Sequence, residues 1–439
     1  PSRTSPLLRQ LTLLDSIAII VGIIIGVGIF RVPSSIATYL HSPWLILAAW
    51  IVGGLLALCG GLCYAELSAS LPRTGGDYVY LRESYGRAVG FLFGWTKLLV
   101  VRPGSIAGIA YIFAGYAAYF LPMSPLSTRL VAIAAIAALT LVNLVGLRFG
   151  KSAQNILVAA KILGVLMLGI VGLGLSSGQL PSAGAIAGRA DALSLPAAFG
   201  LALIFVMWTY GGWNEGTYVA EEMQNPERDL PRSIVIGILG VLVLYILLNS
   251  AYLLCIPLSE MQGSEMAASL LAERLFGALG GRLIALIVMV FALGALNGLI
   301  LTGARISYAL GSDHGAFGAI AWVHDRFRTP AVALLMNGAW ASVLVFSGTF
   351  DRLVSYTGAV TWLFFGLTGG SLFILRRRLP DLVRPYKVWG YPAVPAIFLA
   401  VSLWLTYNTL MYSPSGAVLG VIIMLTGLPV YLLTRRKGD

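Results

Sequence analysis

The chain has 439 residues, of which 58% are hydrophobic and only 11% carry a charge. A soluble domain normally contains about 25% charged residues, so the composition excludes an ordinary soluble protein. Lysine and arginine outnumber aspartate and glutamate and give a net charge of +11. This basic excess raises the question of nucleic-acid binding, which the placement of the charges answers below.

Hydrophobic stretches that are long enough to cross a bilayer recur along the whole chain. A hydrocarbon core of roughly 30 Å needs about 20 apolar residues in each helix. Twelve stretches meet this requirement: 13–39, 43–70, 89–120, 129–146, 153–176, 195–221, 232–256, 281–311, 331–349, 353–376, 391–411 and 415–434. The sequence therefore predicts an all-α polytopic membrane protein with 12 transmembrane helices, in which residues 1–439 form a single membrane domain.

The basic residues are distributed unevenly between the two sides of this predicted helix array. If the N-terminus is cytoplasmic, most of the 29 lysines and arginines fall in inner loops and tails, and few fall in outer loops. This is the positive-inside bias of membrane proteins. It predicts that both termini are cytoplasmic, and it makes the net charge a topology signal rather than a site for nucleic acid.

Glycines interrupt the first and the sixth predicted spans. Gly22, Gly26 and Gly28 lie in the middle of the first span. Gly211 and Gly212 lie at the centre of the sixth. Because these spans open the two halves of the chain, the pattern is typical of the discontinuous helices at which transporters bind their substrates. Close helix packing through small residues is the alternative explanation.

A broken helix inside a bilayer exposes peptide groups that need partners. An unpaired group in hydrocarbon costs several kcal/mol, so a break persists only where these groups line a cavity or bind a ligand. A free amino acid has complementary ends. Its carboxylate suits the amides at the N-terminus of a half-helix, and its ammonium suits the carbonyls at a C-terminus.

Several motifs resemble those of the amino acid–polyamine–organocation superfamily, and most closely bacterial members of the L-type amino acid transporter family. The matching segments are GIIIGVGIF (22–30), YAEL (64–67), GGDY (75–78), YGGWN (210–214), EEMQNP (221–226) and RPYKV (384–388). The resemblance implies a five-plus-five inverted repeat with discontinuous helices 1 and 6. The first repeat would cover about 13–176 and the second about 195–376, followed by two extra helices at about 391–434.

The resemblance also implies roles for individual residues at the two breaks. The substrate carboxylate would bind the amides of Val27, Gly28 and Ile29. The ammonium would bind the carbonyls of Ile24, Trp208 and Gly211. Trp208 would gate the site, and Asn214 would tune recognition of the substrate side chain. The substrate-binding residues are therefore Ile24, Gly26, Val27, Gly28, Ile29, Trp208, Gly211, Gly212, Trp213 and Asn214.

The chain departs from the family pattern at two positions. Val27 stands where many relatives carry serine, so only its backbone amide can contact a substrate. Ser124 stands where the light chains of heteromeric transporters carry the cysteine that links them to a glycoprotein. We therefore expect no disulfide-linked heavy chain.

Lys161 is an ionisable residue within the fifth predicted span. A charge at this depth costs about 2.5–3.5 kcal/mol and normally faces the protein interior. A charged Lys161 could replace a sodium ion by tying the fifth helix to free carbonyls of the first. Alternatively, it could load and release a proton, or extend to the headgroups as an ordinary snorkelling lysine. Both functional uses predict sodium-independent transport.

These observations favour a sodium-independent exchanger of neutral L-amino acids that works by alternating access in the cell (inner) membrane. Glycine at position 211 leaves no carboxylate beside the substrate, which disfavours cationic amino acids. Proton-coupled symport through Lys161 is the alternative, and a channel or a substrate-sensing receptor is the alternative of another class. The sequence has no catalytic motif of an intramembrane enzyme and predicts no cofactor and no bound metal.

Overall fold

The computed structural model describes residues 12–71, 76–145, 151–176, 193–214, 217, 223–313, 318–320, 322–324 and 329–434. In chain order the helices are α1 (Leu13–Ile24), α2 (Gly28–Ala37), α3 (Pro43–Ser70), α4 (Asp77–Tyr85), α5 (Arg87–Thr96), α6 (Arg102–Ala117), α7 (Pro125–Leu144), α8 (Lys151–Leu175), α9 (Leu195–Tyr210), α10 (Pro226–Cys255), α11 (Leu258–Gly263), α12 (Ala267–Asp313), α13 (Ala331–Ser347), α14 (Phe350–Arg378), α15 (Ala393–Tyr412) and α16 (Pro414–Thr434).

Most of these helices are suited to a lipid environment. Within the ranges given above, nine helices are long and apolar enough to cross a bilayer, and α1 with α2 makes a tenth candidate that is bent by 41° at its break. Two shorter apolar helices, Leu195–Tyr210 and Ala331–Phe346, coincide with the sixth and ninth predicted spans. The protein is therefore a multi-pass α-helical membrane protein, while the count of 12 spans and the five-plus-five repeat remain predictions.

The third predicted span differs from a regular helix. Between α5 and α6 the backbone widens into a π-helix over Lys97–Val101. A π-helix displaces carbonyls from their usual donors. Here the Leu99 carbonyl accepts hydrogen bonds from the Trp340 indole at 2.7 Å and the Tyr356 hydroxyl at 2.8 Å. These bonds attach α13 and α14 to the widened segment.

The observed helix bounds refine the predicted spans. In the sixth span, predicted as 195–221, α9 ends at Tyr210 because the chain leaves helical geometry at Gly211 and Gly212. Most of the residues from 215 to 221 lie outside the described residues. The eighth span was predicted to start at 281, but α12 starts at Ala267 and bends at Gly277, where φ is 72°. The short helix α4 lies between predicted spans and was missed.

Glycines on α3 allow other helices to approach it closely. A methyl group at Gly61 would lie 2.5 Å from Ile238 and 2.7 Å from Ile234 on α10. A side chain at Gly53 would collide with Val206 of α9. Small residues at such interfaces increase van der Waals contact, which holds membrane helices together where no water drives burial. Glycine packing therefore places α9 and α10 against α3, next to the broken helices.

Candidate functional site at the two helix breaks

The first break leaves carbonyls at the end of α1 without helical donors. Ile25 has a ψ of 71°, and the Gly26 amide turns back to the Ile24 carbonyl at 2.6 Å. The carbonyls of Gly22, Ile23 and Ile24 therefore lose the amides that a continuous helix would supply. The prediction of a discontinuous first helix is confirmed at this position.

Lys161 approaches one of these carbonyls. Its ammonium donates to the Gly22 carbonyl at 3.4 Å and lies 5.9 Å from the centre of the Phe291 ring. The side chain is buried, and Gly22 has no side chain to separate α1 from α8. The contact has the form expected if a charged lysine occupies the place of a cation, whereas its part in coupling remains a prediction.

Tyr245 of α10 connects the ends of both broken segments. Its buried hydroxyl lies 2.8 Å from the Ile24 carbonyl and 3.3 Å from the Thr209 carbonyl. The Ile24 carbonyl, which was predicted to bind the substrate ammonium, thus already accepts from Tyr245 and Gly26. Sequence reasoning missed Tyr245. The available signal was a phenol inside an apolar span, because a buried hydroxyl needs a partner.

The amides after the first break belong to the start of α2. Val27 is the N-cap, and the helix begins at Gly28. The first amides of a helix have no acceptor within it, and the helix dipole adds partial positive charge at this end. Gly28 packs closely, since a methyl group there would lie 3.0 Å from Trp208 and 3.1 Å from the Thr209 hydroxyl.

The second break lies at the end of α9. Gly211 caps the helix by donating to the Trp208 carbonyl at 3.2 Å. Gly212 has a φ of 113° and lies against Ile23, so a side chain there would be both strained and 2.5 Å from that residue. The ends of α1 and α9 are therefore in direct contact, and Gly26, Trp208, Gly211 and Gly212 each keep partly exposed surface.

Trp208 fills the space between the breaks and one side of the helix bundle. Its indole packs beside Gly28 and lies edge-on to the Phe350 ring, with the ring centres 5.5 Å apart. A methyl group placed on Gly108 of α6 would lie 3.5 Å from the same indole. The position is compatible with the predicted gate.

A group of charged and polar side chains contacts Phe350 through Arg31. The Arg31 guanidinium lies 5.1 Å from the centre of the Phe350 ring and 3.2 Å from Glu265. It also donates to Ser35 at 3.1 Å, and Ser35 donates to Asp351 at 3.2 Å. We call Arg31, Ser35, Glu265 and Asp351 the outer cluster, because the predicted topology places them toward the outside.

Trp213 packs into the opposite side of the bundle. Its ring centre lies 4.8 Å from that of Tyr64 and 5.3 Å from that of Phe365, and only 1% of its surface is exposed. The predicted contact between Trp213 and a substrate would require this aromatic packing to open.

Asn214 is also buried, and it is held by a carboxylate. Its amide donates to Asp77 at 3.3 Å, and Asp77 also accepts from the Tyr64 hydroxyl and from Thr368 at 3.3 Å. Asp77 is fully buried. The segment after the second break is thereby attached to α3, α4 and α14, and Asp77 is a site residue that sequence reasoning did not single out.

A second ionic group lies on the predicted cytoplasmic side. Glu66 accepts from Arg376 at 2.9 and 2.6 Å and from the Val388 amide at 2.5 Å, and Arg384 lies 3.7 Å away. The Glu66 side chain is 1% exposed. We call Glu66, Arg376, Arg384 and Val388 the inner cluster. Burial and the nearby Glu66 raise the pKa of Tyr386, so its phenol stays neutral.

A cavity among the described residues lies away from the breaks. It has a volume of about 490 Å³ and lies between the start of α10 and residues 385–386. No group of three or more His, Cys, Asp or Glu side chains among the described residues is arranged to hold a metal ion. Cys59, Cys63 and Cys255 are free thiols.

Comparison with known proteins gives consistent matches over nearly the whole chain. Residues 11–433 match the family described as Amino acid permease. The chain is 35% identical to the b(0,+)-type amino acid transporter 1 of Rattus norvegicus, over 98% of this chain and 89% of that protein. It is 31% identical to the Serine/threonine exchanger SteT of Bacillus subtilis (strain 168), over 98% of both. It is 32% identical to the Large neutral amino acids transporter small subunit 2 of Mus musculus, over 97% of this chain and 81% of that protein.

Proposed function

The chain belongs to the amino acid permease family, and we propose that it exchanges neutral L-amino acids by alternating access without sodium. Family membership makes it an amino acid transporter in a membrane rather than an enzyme. Beyond family membership, we propose that the substrate is neutral and that transport is exchange without sodium. We also propose that the protein lies in the cell (inner) membrane with both termini in the cytoplasm. A channel or receptor is disfavoured because the relatives are transporters and exchangers by name.

The observation that carries the proposal is the contact between two broken helix ends. The amides of Val27, Gly28 and Ile29 start one half-helix, and the carbonyls of Trp208 and Gly211 end another. Opposite partial charges therefore lie at neighbouring helix ends, where Gly26, Gly211 and Gly212 keep partly exposed surface. A zwitterion has its carboxylate and ammonium on neighbouring atoms, which suits this arrangement.

The contacts of Tyr245 refine the predicted ammonium site. The Ile24 carbonyl already accepts two hydrogen bonds, from Gly26 and Tyr245. A carbonyl oxygen has two lone pairs, so an ammonium at Ile24 would have to displace one of these donors. We therefore expect the neighbouring Ile23 carbonyl, at the exposed end of α1, to share this role with Trp208 and Gly211.

The neutral-substrate proposal rests on the residues beside the second break. Gly211 and Gly212 carry no charge, and the Asp77 carboxylate is already bound by Tyr64, Thr368 and Asn214. Among the described residues beside the break, a cationic side chain would therefore find no accessible carboxylate, while Glu215 lies outside the described residues. Trp208 limits the length of the side chain on the other side of the site.

Sodium independence rests on Lys161. Its ammonium is attached to the Gly22 carbonyl, a group of the kind that would otherwise coordinate a cation. Proton-coupled symport is the second candidate, because this buried lysine bonds to a neutral carbonyl. A pH gradient that drives uptake without internal substrate would favour symport, whereas dependence on internal substrate would favour exchange.

Ser124 supports the expectation that no heavy chain is attached through a disulfide. The residue caps α7 by accepting from the Ser127 amide at 3.2 Å and has no thiol. The same chain purified without reducing agent should migrate without a covalent partner.

The decisive experiment is counterflow in liposomes that contain the purified protein. Vesicles loaded with unlabelled alanine, leucine, arginine or glutamate are tested for uptake of each labelled amino acid at several pH values. We expect exchange of alanine and leucine without sodium. Exchange confined to arginine or glutamate would contradict the neutral-substrate proposal.

A matched pair of glycine variants tests the site itself. Gly28→Leu should abolish exchange, and Gly28→Ala should lower it by about tenfold or more, because the added carbon enters the space of Trp208 and Thr209. Gly240→Ala on α10 is the control, since a methyl group there meets no heavy atom within 4 Å and Gly240 lies away from both breaks. Equal exchange by Gly28→Leu and wild-type protein would remove the assigned carboxylate site.

A further inference from the structure

A cavity at the start of α10 lies outside the proposed transport site. Six of its lining residues come from the first turns of α10, and the others are Pro385 and Tyr386 from the connection between α14 and α15. Its volume of about 490 Å³ is within the range of small-molecule sites. The positive-inside topology places it at the cytoplasmic surface of the bilayer.

Two arginines give this cavity the chemistry of a phosphate site. Arg228 and Arg232 are four residues apart on α10 and therefore share one face of the helix. A guanidinium matches the oxygens of a phosphate with two parallel donors. In the part of the chain that the structure describes, neither arginine is held in an ion pair. Glu227 is the acidic residue of the lining, which leaves an excess positive charge.

The same face of α10 continues as an apolar stripe. Ile236, Leu239 and Val243 follow Arg232 at helical spacing and are 49%, 42% and 66% exposed. The distance from Arg232 to Val243 along the helix is about 16 Å. This is close to half of a hydrocarbon core of roughly 30 Å, which is the depth of one leaflet. This face of α10 therefore has positive charge at one end, followed by an apolar stripe about as long as one leaflet is deep.

We propose that this cavity binds the headgroup of an anionic phospholipid of the cytoplasmic leaflet, with an acyl chain along Ile236, Leu239 and Val243. A free phosphate would use the two arginines but not the apolar stripe. The cytoplasmic leaflet supplies such lipids, and its negative potential concentrates them near basic residues.

The wall formed by Pro385 and Tyr386 gives the site a connection to the inner cluster. Arg384 and Val388 flank this wall, and both contact Glu66. A lipid held between α10 and this connection therefore touches the segment that contributes to the inner cluster.

Native mass spectrometry of the full chain from nanodiscs tests the proposal. The discs contain phosphatidylcholine alone or phosphatidylcholine mixed with phosphatidylglycerol. We expect the wild-type chain to retain phosphatidylglycerol in preference to phosphatidylcholine. Each surface arginine contributes about a fivefold preference, so Arg228→Gln with Arg232→Gln should weaken retention by about 30-fold. Equal retention by this double variant and the wild-type chain would overturn the proposal.

Controls separate charge, folding and the source of the phosphate. Arg377→Gln removes an exposed arginine of α14 outside the cavity and should retain the lipid. The double variant Arg228→Lys with Arg232→Lys keeps both charges. It should recover most of the retention, which separates loss of charge from poor folding of the double glutamine variant. Inorganic phosphate added to the detergent-solubilised chain should not displace phosphatidylglycerol. Displacement at similar concentrations would identify a free-anion site and reject the lipid.

Discussion

The inner and outer clusters differ in burial and in bonding. In the inner cluster, Glu66 is almost completely buried, accepts hydrogen bonds from Arg376 and a backbone amide, and lies 3.7 Å from Arg384. In the outer cluster, Arg31 is buried, but its partner Glu265 is 67% exposed and is joined by one contact at 3.2 Å. Removing one partner of a buried ion pair costs far more than removing one of an exposed pair. The difference indicates that the inner cluster is held together more strongly than the outer cluster.

The largest effect is expected from Glu66→Ala, which breaks the inner cluster. Arg376 and Arg384 would lose their carboxylate, at a cost of about 3 kcal/mol in stability. The thermal midpoint in detergent should fall, and buried Cys63, one turn before Glu66, should become reactive to maleimide. Glu260→Ala, which breaks an ion pair with Arg274 in which both side chains are exposed, is the control and should change little. A similar midpoint for both variants would refute the comparison.

Asp77→Asn should have the next largest effect. The amide cannot accept from Tyr64, Thr368 and Asn214 as the carboxylate does, so we expect a loss of about 1–3 kcal/mol. Because Asn214 follows the second break, the exchange rate should fall as well. Thr368→Val, which removes a single donor, should have a smaller effect on both readouts. An unchanged exchange rate in Asp77→Asn would separate this network from transport.

Arg31→Gln should have a moderate effect on the outer cluster. It removes the ion pair with Glu265 and the contact with the Phe350 ring, together about 1 kcal/mol. Phe350 supports Trp208, so the substrate concentration for half-maximal uptake should change more than the thermal midpoint. A fall in midpoint as large as that of Glu66→Ala would contradict the proposed difference between the clusters.

Glu265→Gln should have the smallest effect. The side chain is 67% exposed, and pairs of this kind contribute about 0–1 kcal/mol. Thermal midpoints of Glu265→Gln and wild-type protein should agree, and any difference should shrink with added salt. A loss of stability that persists at high salt would show that water is excluded from the Arg31–Glu265 pair. That result would contradict its assignment as an exposed pair.

Much of the architecture could be predicted because it depends on local composition. Bilayer thickness requires apolar stretches of about 20 residues, and glycines mark where a helix can stop. The breaks after Ile24 and Tyr210 follow from these two signals. The π-helix over Lys97–Val101 could not be found in this way, since its stabilising partners Trp340 and Tyr356 are distant in sequence.

The sequence by itself determined the membrane class, the family and the positions of the two breaks. Only the tertiary structure decided which freed peptide groups already have partners. Tyr245 donates a hydrogen bond to the Ile24 carbonyl, although the two residues are 221 positions apart. Arg376 donates to Glu66 across 310 positions. Such pairs leave no periodic signal in the sequence, because they depend on how whole helices pack against one another.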